Sequence, residues 1–528
     1  MFRILVSDKL GPAGLDRLAE AQDAEFDVRT DMSKQELCSV IANYDALLVR
    51  SSTQVDNDVL TAGKRLRVVG RAGMGVDNID IKAATASGVI VMNTPGANSI
   101  ATAEHTLTML LAACRHTAQA HTSVQNGQWE RYRFVGIQLY RKTLGLIGFG
   151  RIARHVAKRA KAFDMEVIAY DPYVSEEIGQ QAAVTLVDRD ELFAQADVIS
   201  LHSSLSAETE HIVNTANLAK AKDGVIVINP SRGGLVDEQA LATALKDGRV
   251  RCAALDVYSE EPPGADNPLI GLPNVLTTPH LGASTEEAQR DVAVLIVEQV
   301  LDALRNEDFR NSVNMPFAAG PEFASVLPYM QLGERIGILQ FHMADAPIRK
   351  VELELHGDTV REFTKPIATG VLKGLMSNVI AEPVNYINAP MLAEQHGIHI
   401  AQAKGLVGPE YTNVMSCRVS WEGGERIVTG AVFGGEHPRI LQVSDYHLDV
   451  DPSGTVLVML NNDVPGVIGQ VGTLLGAYGV NIGEWRLGRP HAGGDALSFI
   501  NLDSEPPAGA IDALEQVEAI KKLRLVHL

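Results

Sequence analysis

The chain has 528 residues, 46% hydrophobic and 21% charged, which excludes disordered and fibrous classes and, at about 150 residues per domain, predicts three or four domains. A net charge of −19 excludes a broad nucleic-acid or anionic-membrane surface but leaves room for a local basic pocket. Cys38, Cys114, Cys252 and Cys417 lie far apart without metal-ligand spacing, MFRILVSDKL lacks a signal-peptide core, and no stretch of about 20 apolar residues occurs, so a cytoplasmic protein with reduced cysteines and no membrane or metal partner is expected.

Residues 2 to 7 (FRILVS) predict a first strand, and Gly11-Pro12 opens a helix to about Ala21. Apolar strands at 46 to 50 and 66 to 69 each end beside an arginine, Arg50 and Arg71. Strands alternating with helices make a parallel sheet whose ligands sit beyond the carboxyl ends, so both arginines are candidates to face a cleft. After the loop Gly73-Met74-Gly75-Val76-Asp77, VIVMNTPG carries the chain into a helix over 98 to 115, the expected crossover into a second domain.

That domain opens with TLGLIGFGRIARHVAKRAKAFDMEVIAYDP, residues 143 to 172. A lone glycine-rich turn is commonplace. Here a strand precedes it, a helix follows over 151 to 163, and a second strand ends at Asp171, 21 residues past Gly150. This is a dinucleotide fingerprint: Gly148 and Gly150 let a pyrophosphate approach backbone N–H groups at a helix N-terminus, with Ala153 as the third small residue. The Asp171 carboxylate suits a ribose and repels a 2′-phosphate, so NAD is favoured over NADP. Strands at 197 to 202, 224 to 229, 252 to 257 and 274 to 278 continue the rhythm. Ser284 with Glu287 reads as a capping box for a helix to about Leu304 that returns to the first domain.

The expected architecture is therefore α/β. A discontinuous flavodoxin-like substrate domain (1–95 and 290–312) carries an inserted Rossmann NAD-binding domain (96–289). Pro316, Gly320 and Pro321 mark a linker into an α+β intervening domain (313–452). The last block, 453–528, has the βαββαβ order of a ferredoxin-like domain and few catalytic residue types.

Three residues at predicted strand ends carry chemistry: Arg232 in NPSRGGLVDE, Glu261 in LDVYSEEPP and His280 in TTPHLGAS. Oxidising a 2-hydroxy acid needs a guanidinium to clamp the carboxylate, an imidazole to take the hydroxyl proton, and an acid to orient the imidazole and raise its pKa. Singly, each has a plainer reading: a helix cap, a solvated loop acid, and a histidine behind the site.

Taken jointly, GFGRIA, NPSRGGLVDE, ALDVYSEEP and PHLGAS resemble the D-isomer-specific 2-hydroxyacid dehydrogenases over residues 1 to about 312. The resemblance implies that Arg232 binds the substrate carboxylate and carbonyl, that His280 is the general acid/base, and that Glu261 is its partner. For NAD it implies Gly148, Gly150, Arg151, Ile152, Asp171, Ser203, Pro230, Ser231, Asp256, Gly282 and Ala283. Ala153 replaces the usual third glycine, and Ser204 stands where the family often has proline.

LLVRSST, GRAGMGVDNID and GANSIATAEH are similar to the substrate loops of the branch that oxidises 3-phosphoglycerate, with Met74 where threonine is usual. The resemblance implies substrate contacts from Arg50, Arg71 and Asn98. Arg131 and Arg133 in WERYRF are read either as cations acting toward a phosphate across a subunit interface or as surface ion pairs. The last block resembles an ACT domain through Asp463-Val464-Pro465-Gly466 and Gly479-Val480-Asn481-Ile482. L-serine would then bind near Asn461, Asp463 and Asn481 between ACT domains, although Asp before Pro-Gly is also an ordinary turn. GVLKGL and VNYINAP resemble that branch's intervening domain, and the family implies a homotetramer. The competing readings are a dehydrogenase of glycerate, lactate or glyoxylate, and a non-catalytic NAD-sensing regulator.

Overall fold

The structure, a computed structural model, describes residues 1–317, 323–361, 363–380, 383–403, 405 and 413–528. The linker expected at Gly320 and Pro321 lies outside them.

The first sheet holds β1 (Phe2–Val6), β2 (Ala24–Val28), β3 (Ala46–Val49), β4 (Val68–Arg71) and β5 (Ile90–Met92), all parallel, in the order β2-β1-β3-β4-β5. This is the flavodoxin-like order. β3 (ALLV) is buried throughout, as a parallel strand with helices on both faces must be. β2 escapes the sequence reading because Glu25 and Asp27 interrupt its apolar run at the sheet edge.

The second sheet comprises β6 (Thr143–Ile147), β7 (Glu166–Tyr170), β8 (Thr185–Leu186), β9 (Val198–Leu201), β10 (Val225–Asn229), β11 (Val250–Leu255) and β12 (Val275–Thr277). Its order, β12-β11-β10-β9-β6-β7-β8, is doubly wound around β6, so the glycine turn after β6 sits at the point where the order reverses.

Two helices join these sheets. Ser99–Arg115 leaves the first domain and buries Ala103, Leu107 and Leu110 in the core of the second. Glu286–Arg305 returns and buries Ile296, Val297 and Val300 against the first sheet. The expected Ser284 cap is displaced by one residue. Ser284 N closes a tight turn onto Leu281 O at 2.8 Å, and the Thr285 hydroxyl instead accepts from Ala288 N at 3.2 Å. The helix after the glycine turn is Arg151–Lys161, shorter than expected, because Asp164 turns the chain at φ +55° into β7.

The third domain packs helices Phe323–Met343 and Thr364–Met376 on a six-stranded sheet of β13 (Lys350–His356), β14 (His399–Gln402), β15 (Val414–Trp421), β16 (Gly424–Phe433), β17 (His437–Val443) and β18 (Tyr446–Val450). The two helices approach so closely that a Cβ on Gly337 would fall 2.2 Å from Val371 O, and one on Gly374 1.9 Å from Glu334 O. Only glycine fits at these points. Phe323, Val326 and Met330 extend the same helix into the first domain's core.

The last domain is a four-stranded antiparallel sheet of β19 (Thr455–Asn462), β20 (Ile482–Gly488), β21 (Asp495–Leu502) and β22 (Ile520–His527), ordered β20-β21-β19-β22. Its side chains alternate between two cores. Leu457, Met459 and Ile500 pack with its helices Val467–Ala477 and Ala508–Glu515, whereas Val456, Val458 and Phe499 share a core with the third domain.

Candidate active site

The carboxyl ends of both parallel sheets open toward one cleft, and the expected residues converge there. His280 Nδ1 lies 2.7 Å from Glu261 Oε2. Burial pushes the Glu261 carboxyl up, but the hydrogen bond and charge of His280, the Tyr258 amide and the Arg232 charge outweigh it, so the carboxyl stays below the usual range. A Glu261 carboxylate can only accept, so Nδ1 carries a proton, and in the neutral imidazole the lone pair is then on Nε2.

His280 has φ +55°, a left-handed conformation that costs a non-glycine residue on the order of 1 kcal/mol. Asp256 holds it there. Its main-chain oxygen accepts His280 N at 2.8 Å, and its carboxylate accepts Leu281 N and Gly282 N at 2.8 Å each and the Thr278 hydroxyl at 2.6 Å. Asp256 is 0% exposed. Expected among NAD contacts, it also holds the loop that follows His280 from beneath, Oδ1 taking Leu281 N and Thr278 and Oδ2 taking Gly282 N.

Arg232 reaches across the cleft. Its Nε donates to Asp77 Oδ2 of the first domain at 2.8 Å and its Nη1 to Ser231 O at 2.8 Å, while Nη2 faces Gly75 so closely that a Cβ there would lie 1.8 Å from it. Arg71 donates from Nε to Asn78 at 3.1 Å. Burial and then the Arg232 charge push the Arg71 guanidinium down to about 10, and Arg50 adds to the repulsion. Three arginines from three strand ends thus crowd one another, an arrangement that lowers its energy by binding an anion. Arg50 and Asn98 line one small cavity with Ala283, and Arg50 also borders a cavity of about 510 Å³ lined by Lys9, Lys34, Ser51, Ser52 and Thr53.

The nucleotide end fits NAD. Gly148 has φ +85°, and a Cβ there would come within 2.7 Å of Ser203 N. Above Gly150, at the start of helix Arg151–Lys161, nothing in the protein lies within 4 Å of an added Cβ, leaving an open cradle at the positive end of a helix dipole. Asp171 is fixed beside it by Phe149 N at 2.8 Å and Tyr173 N at 3.0 Å. Ser231 Oγ donates to Ser203 O at 2.7 Å, and Ser203 Oγ is buried without a partner among the described residues. Arg151 donates to Pro95 O at 2.8 Å, tying the glycine turn to the domain crossover, with Ile152 packed behind it. Pro230 and Gly282 are both buried.

Arg131 and Arg133 are not brought to this cleft. Both are exposed, Arg133 pairs with Glu130 at 2.9 Å, and Arg131 lies 4.7 Å over the Tyr132 ring. In the last domain Asp463 pairs with Arg489 at 2.7 Å and accepts from Gly493 N at 3.1 Å, which hold its carboxyl below the usual range. Asn481 donates to Asp503 at 2.6 Å, and Asn461 is 2% exposed. The register pairs Asn462 with Asp495 but Ile482 with Leu502. Asp463 and Asn481 therefore lie at opposite ends of the sheet, roughly 20 Å apart at about 3.3 Å per residue, and one chain cannot close both on one serine.

Sequence reasoning left Asp77, Thr102 and His105 without roles although GMGVDNID and GANSIATAEH were in view. Asn98, Thr102, His105 and Met109 follow helical spacing, the signal that one face of the crossover helix serves the site.

Two sheets meeting at a cleft with an Arg, Glu and His set define a dehydrogenase of 2-hydroxy acids. Residues 107–282 match the family model for the NAD binding domain of D-isomer specific 2-hydroxyacid dehydrogenases, 325–444 that for the D-3-phosphoglycerate dehydrogenase intervening domain, and 455–519 that for the ACT domain. The chain belongs to the D-3-phosphoglycerate dehydrogenase family. It is 41% identical to the D-3-phosphoglycerate dehydrogenase of Methanocaldococcus jannaschii over 100% of both chains, and 40% identical to that of Synechocystis sp. over 100% of this chain and 95% of that one. Among solved structures, a glyoxylate reductase from Paecilomyes thermophila is 31% identical, with TM-score 0.55, over 59% of this chain and 98% of its own. A D-lactate dehydrogenase from Aquifex aeolicus, complexed with NAD and lactic acid, is 25% identical, with TM-score 0.53, over 58% and 96%. No helix among the described residues is long and apolar enough to cross a membrane.

Proposed function

We propose that this chain is an NAD-dependent oxidoreductase that converts 3-phospho-D-glycerate to 3-phosphohydroxypyruvate, the entry to L-serine synthesis. The observation that carries the substrate is the crowding of Arg50, Arg71 and Arg232 at one cleft. Three guanidiniums suit a small molecule with a carboxylate at one end and a phosphate at the other, and are wasteful for lactate.

His280 Nε2 takes the C2 hydroxyl proton while Nδ1–H stays on Glu261, whose carboxylate stabilises the imidazolium that forms. Arg232, held on two of its three nitrogens by Asp77 and Ser231, presents Nη2 to the substrate's carboxylate and carbonyl. Arg50, Arg71 and Asn98 receive the remaining anionic end. Gly148, Gly150 and Asp171 would hold NAD, which would supply the hydride acceptor for C2.

Serine acts as effector between ACT domains of two subunits, with Asp463 of one and Asn481 of its partner. The opposite-end placement supports two chains over one. Self-association through this sheet and through the exposed Trp129, Tyr132 and Val135 of the second domain gives a homotetramer and carries Arg131 and Arg133 to a partner's cleft. The four unpaired cysteines suit the reducing cytoplasm.

The deciding measurement is the initial rate of NADH formation from NAD with 3-phospho-D-glycerate, beside D-glycerate, in alkaline buffer with the keto product trapped. A strong preference for the phosphorylated substrate is expected. Equal rates, or a preference for D-glycerate, would remove the phosphate role of the arginines while leaving a 2-hydroxyacid dehydrogenase.

A further inference from the structure

We propose that His105, on the crossover helix Ser99–Arg115, is a positioning residue for the reaction: it braces Asp256 and so holds the loop that presents His280 to substrate and Leu281–Ala283 to NAD. The inference rests on the reading of that loop given above and adds a residue and a path to it.

His105 Nε2 lies 3.1 Å from Asp256 Oδ1 and 3.3 Å from Thr278 Oγ1. Asp256 Oδ1 also receives Leu281 N and Thr278, and Oδ2 receives Gly282 N, so one fully buried carboxylate gathers three donors of the turn besides His105. Burial pushes the Asp256 carboxyl up, and the His105 hydrogen bond, the largest of the opposing effects, leads those of Thr278 and Leu281 N in bringing it below the usual range. The carboxylate can only accept, so His105 donates from Nε2.

The same helix makes a second attachment one turn earlier. Thr102 Oγ1 shares its proton between Asn98 O at 3.0 Å on its own helix and Gly282 O at 3.1 Å, while Gly282 N is held by Asp256, so Gly282 is met at both its N–H and its carbonyl. Asn98, which borders the substrate cavity, stands four residues before Thr102. Asn98, Thr102 and His105 thus form a single helical stripe running from substrate through cofactor loop to the buried carboxylate. This helix is also the covalent crossover between domains. Its placement therefore sets where His280 stands relative to the first domain's arginines.

His280 can retain its bond to Glu261 without His105, but the turn that carries it is held by Asp256, through its main-chain oxygen at His280 N and its carboxylate at Leu281 N and Gly282 N. Removing the His105 donor leaves a buried carboxylate one partner short, for which the structure relaxes by moving the loop.

The test uses the full-length protein with His105→Phe, which keeps an aromatic ring but removes the donor, and His105→Gln, whose amide can donate to Asp256. Turnover, KM for 3-phospho-D-glycerate, NADH affinity by fluorescence titration, and thermal midpoint are compared. For His105→Phe the expected result is a fall in kcat of about 10- to 100-fold, the consequence of one lost hydrogen bond to a buried charge. NADH affinity falls with it, whereas KM, governed by the arginines, stays within about twofold. His105→Gln restores turnover and NADH affinity together. A His105→Phe enzyme with wild-type turnover and NADH affinity overturns the proposal, as does a His105→Gln enzyme no better than His105→Phe, or a loss that appears only with a collapsed thermal midpoint. NADH affinity does not depend on His280 being the acid/base, so this arm separates failure of the brace from failure of the mechanism, which His280→Ala measured alongside reports.

Discussion

The cleft and the ACT sheet received the same kind of sequence argument and ended differently. In the cleft, Arg71, Arg232, Glu261 and His280, taken from four separate strand ends, come together, with Glu261 and His280 2.7 Å apart. In the ACT domain, Asp463 and Asn481 are closer in sequence yet stand at opposite ends of the sheet, already engaged by Arg489 and Asp503. The difference is which end of a strand each residue adjoins. Every strand of a parallel sheet ends on the same side, so residues that follow strands accumulate there. In the ACT sheet β19 and β20 also run in one direction, both antiparallel to β21, but Asp463 follows β19 whereas Asn481 precedes β20, so the two fall at opposite ends.

The sharpest way to break this comparison is at its strongest point. His280→Ala removes the base and should lower turnover by about 10²- to 10⁴-fold while NADH titration remains close to wild type; normal turnover would show that convergence at the sheet ends did not build a catalytic pair. Arg232→Lys keeps the charge but loses the planar fork that Asp77 and Ser231 hold. Its kcat/KM for 3-phospho-D-glycerate should fall about 10- to 100-fold, and a wild-type value would mean that the guanidinium is only a surface charge.

The ACT half calls for a complementation measurement. Asp463→Ala and Asn481→Ala should each abolish serine binding by calorimetry, whereas a mixed oligomer carrying one of each regains one intact site per ACT pair, about half the wild-type stoichiometry if each interface holds two sites related by a two-fold axis. A mixture as silent as its parents would place the site within one chain, against the register.

The smallest effect concerns acid. Asp256 and Glu261 are both held below their ordinary values. A depressed carboxylate contributes stability that is present above its unfolded value, about 4, and is lost as pH falls through the native one. Thermal melts between pH 6 and pH 3 should decline from about pH 4 downward, and Asp256→Asn, with no charge to lose at that site, should decline a few °C less. Parallel curves would remove Asp256 from the acid transition.

How much of this was legible beforehand varies with the physics. The continuous apolar runs of β3 and β10 announce strands buried on both faces, whereas β2, with Glu25 and Asp27 facing outward, carries no such signal. The glycine turn was visible because a strand before it, a helix after it and Asp171 at the right distance all lie close by in sequence. Asp256 was placed among the NAD contacts by family resemblance, and only the folded loop shows that its carboxylate also takes Leu281 N, Gly282 N and Thr278. His105 sat in a quoted motif without a role, since nothing local marks a histidine whose partner is 151 positions later in the sequence.

By itself the sequence determined the order of four domains, the dinucleotide turn, and the reacting types Arg232, Glu261 and His280, because these depend on local periodicity and on residue chemistry. Only the tertiary structure decided that Asp77 would cross the cleft to Arg232, that three arginines would crowd one another, that His105 would meet Asp256, and that Asp463 and Asn481 would part. Those outcomes depend on sheet order, strand direction and which helix face meets which loop, quantities fixed by packing between segments hundreds of residues apart.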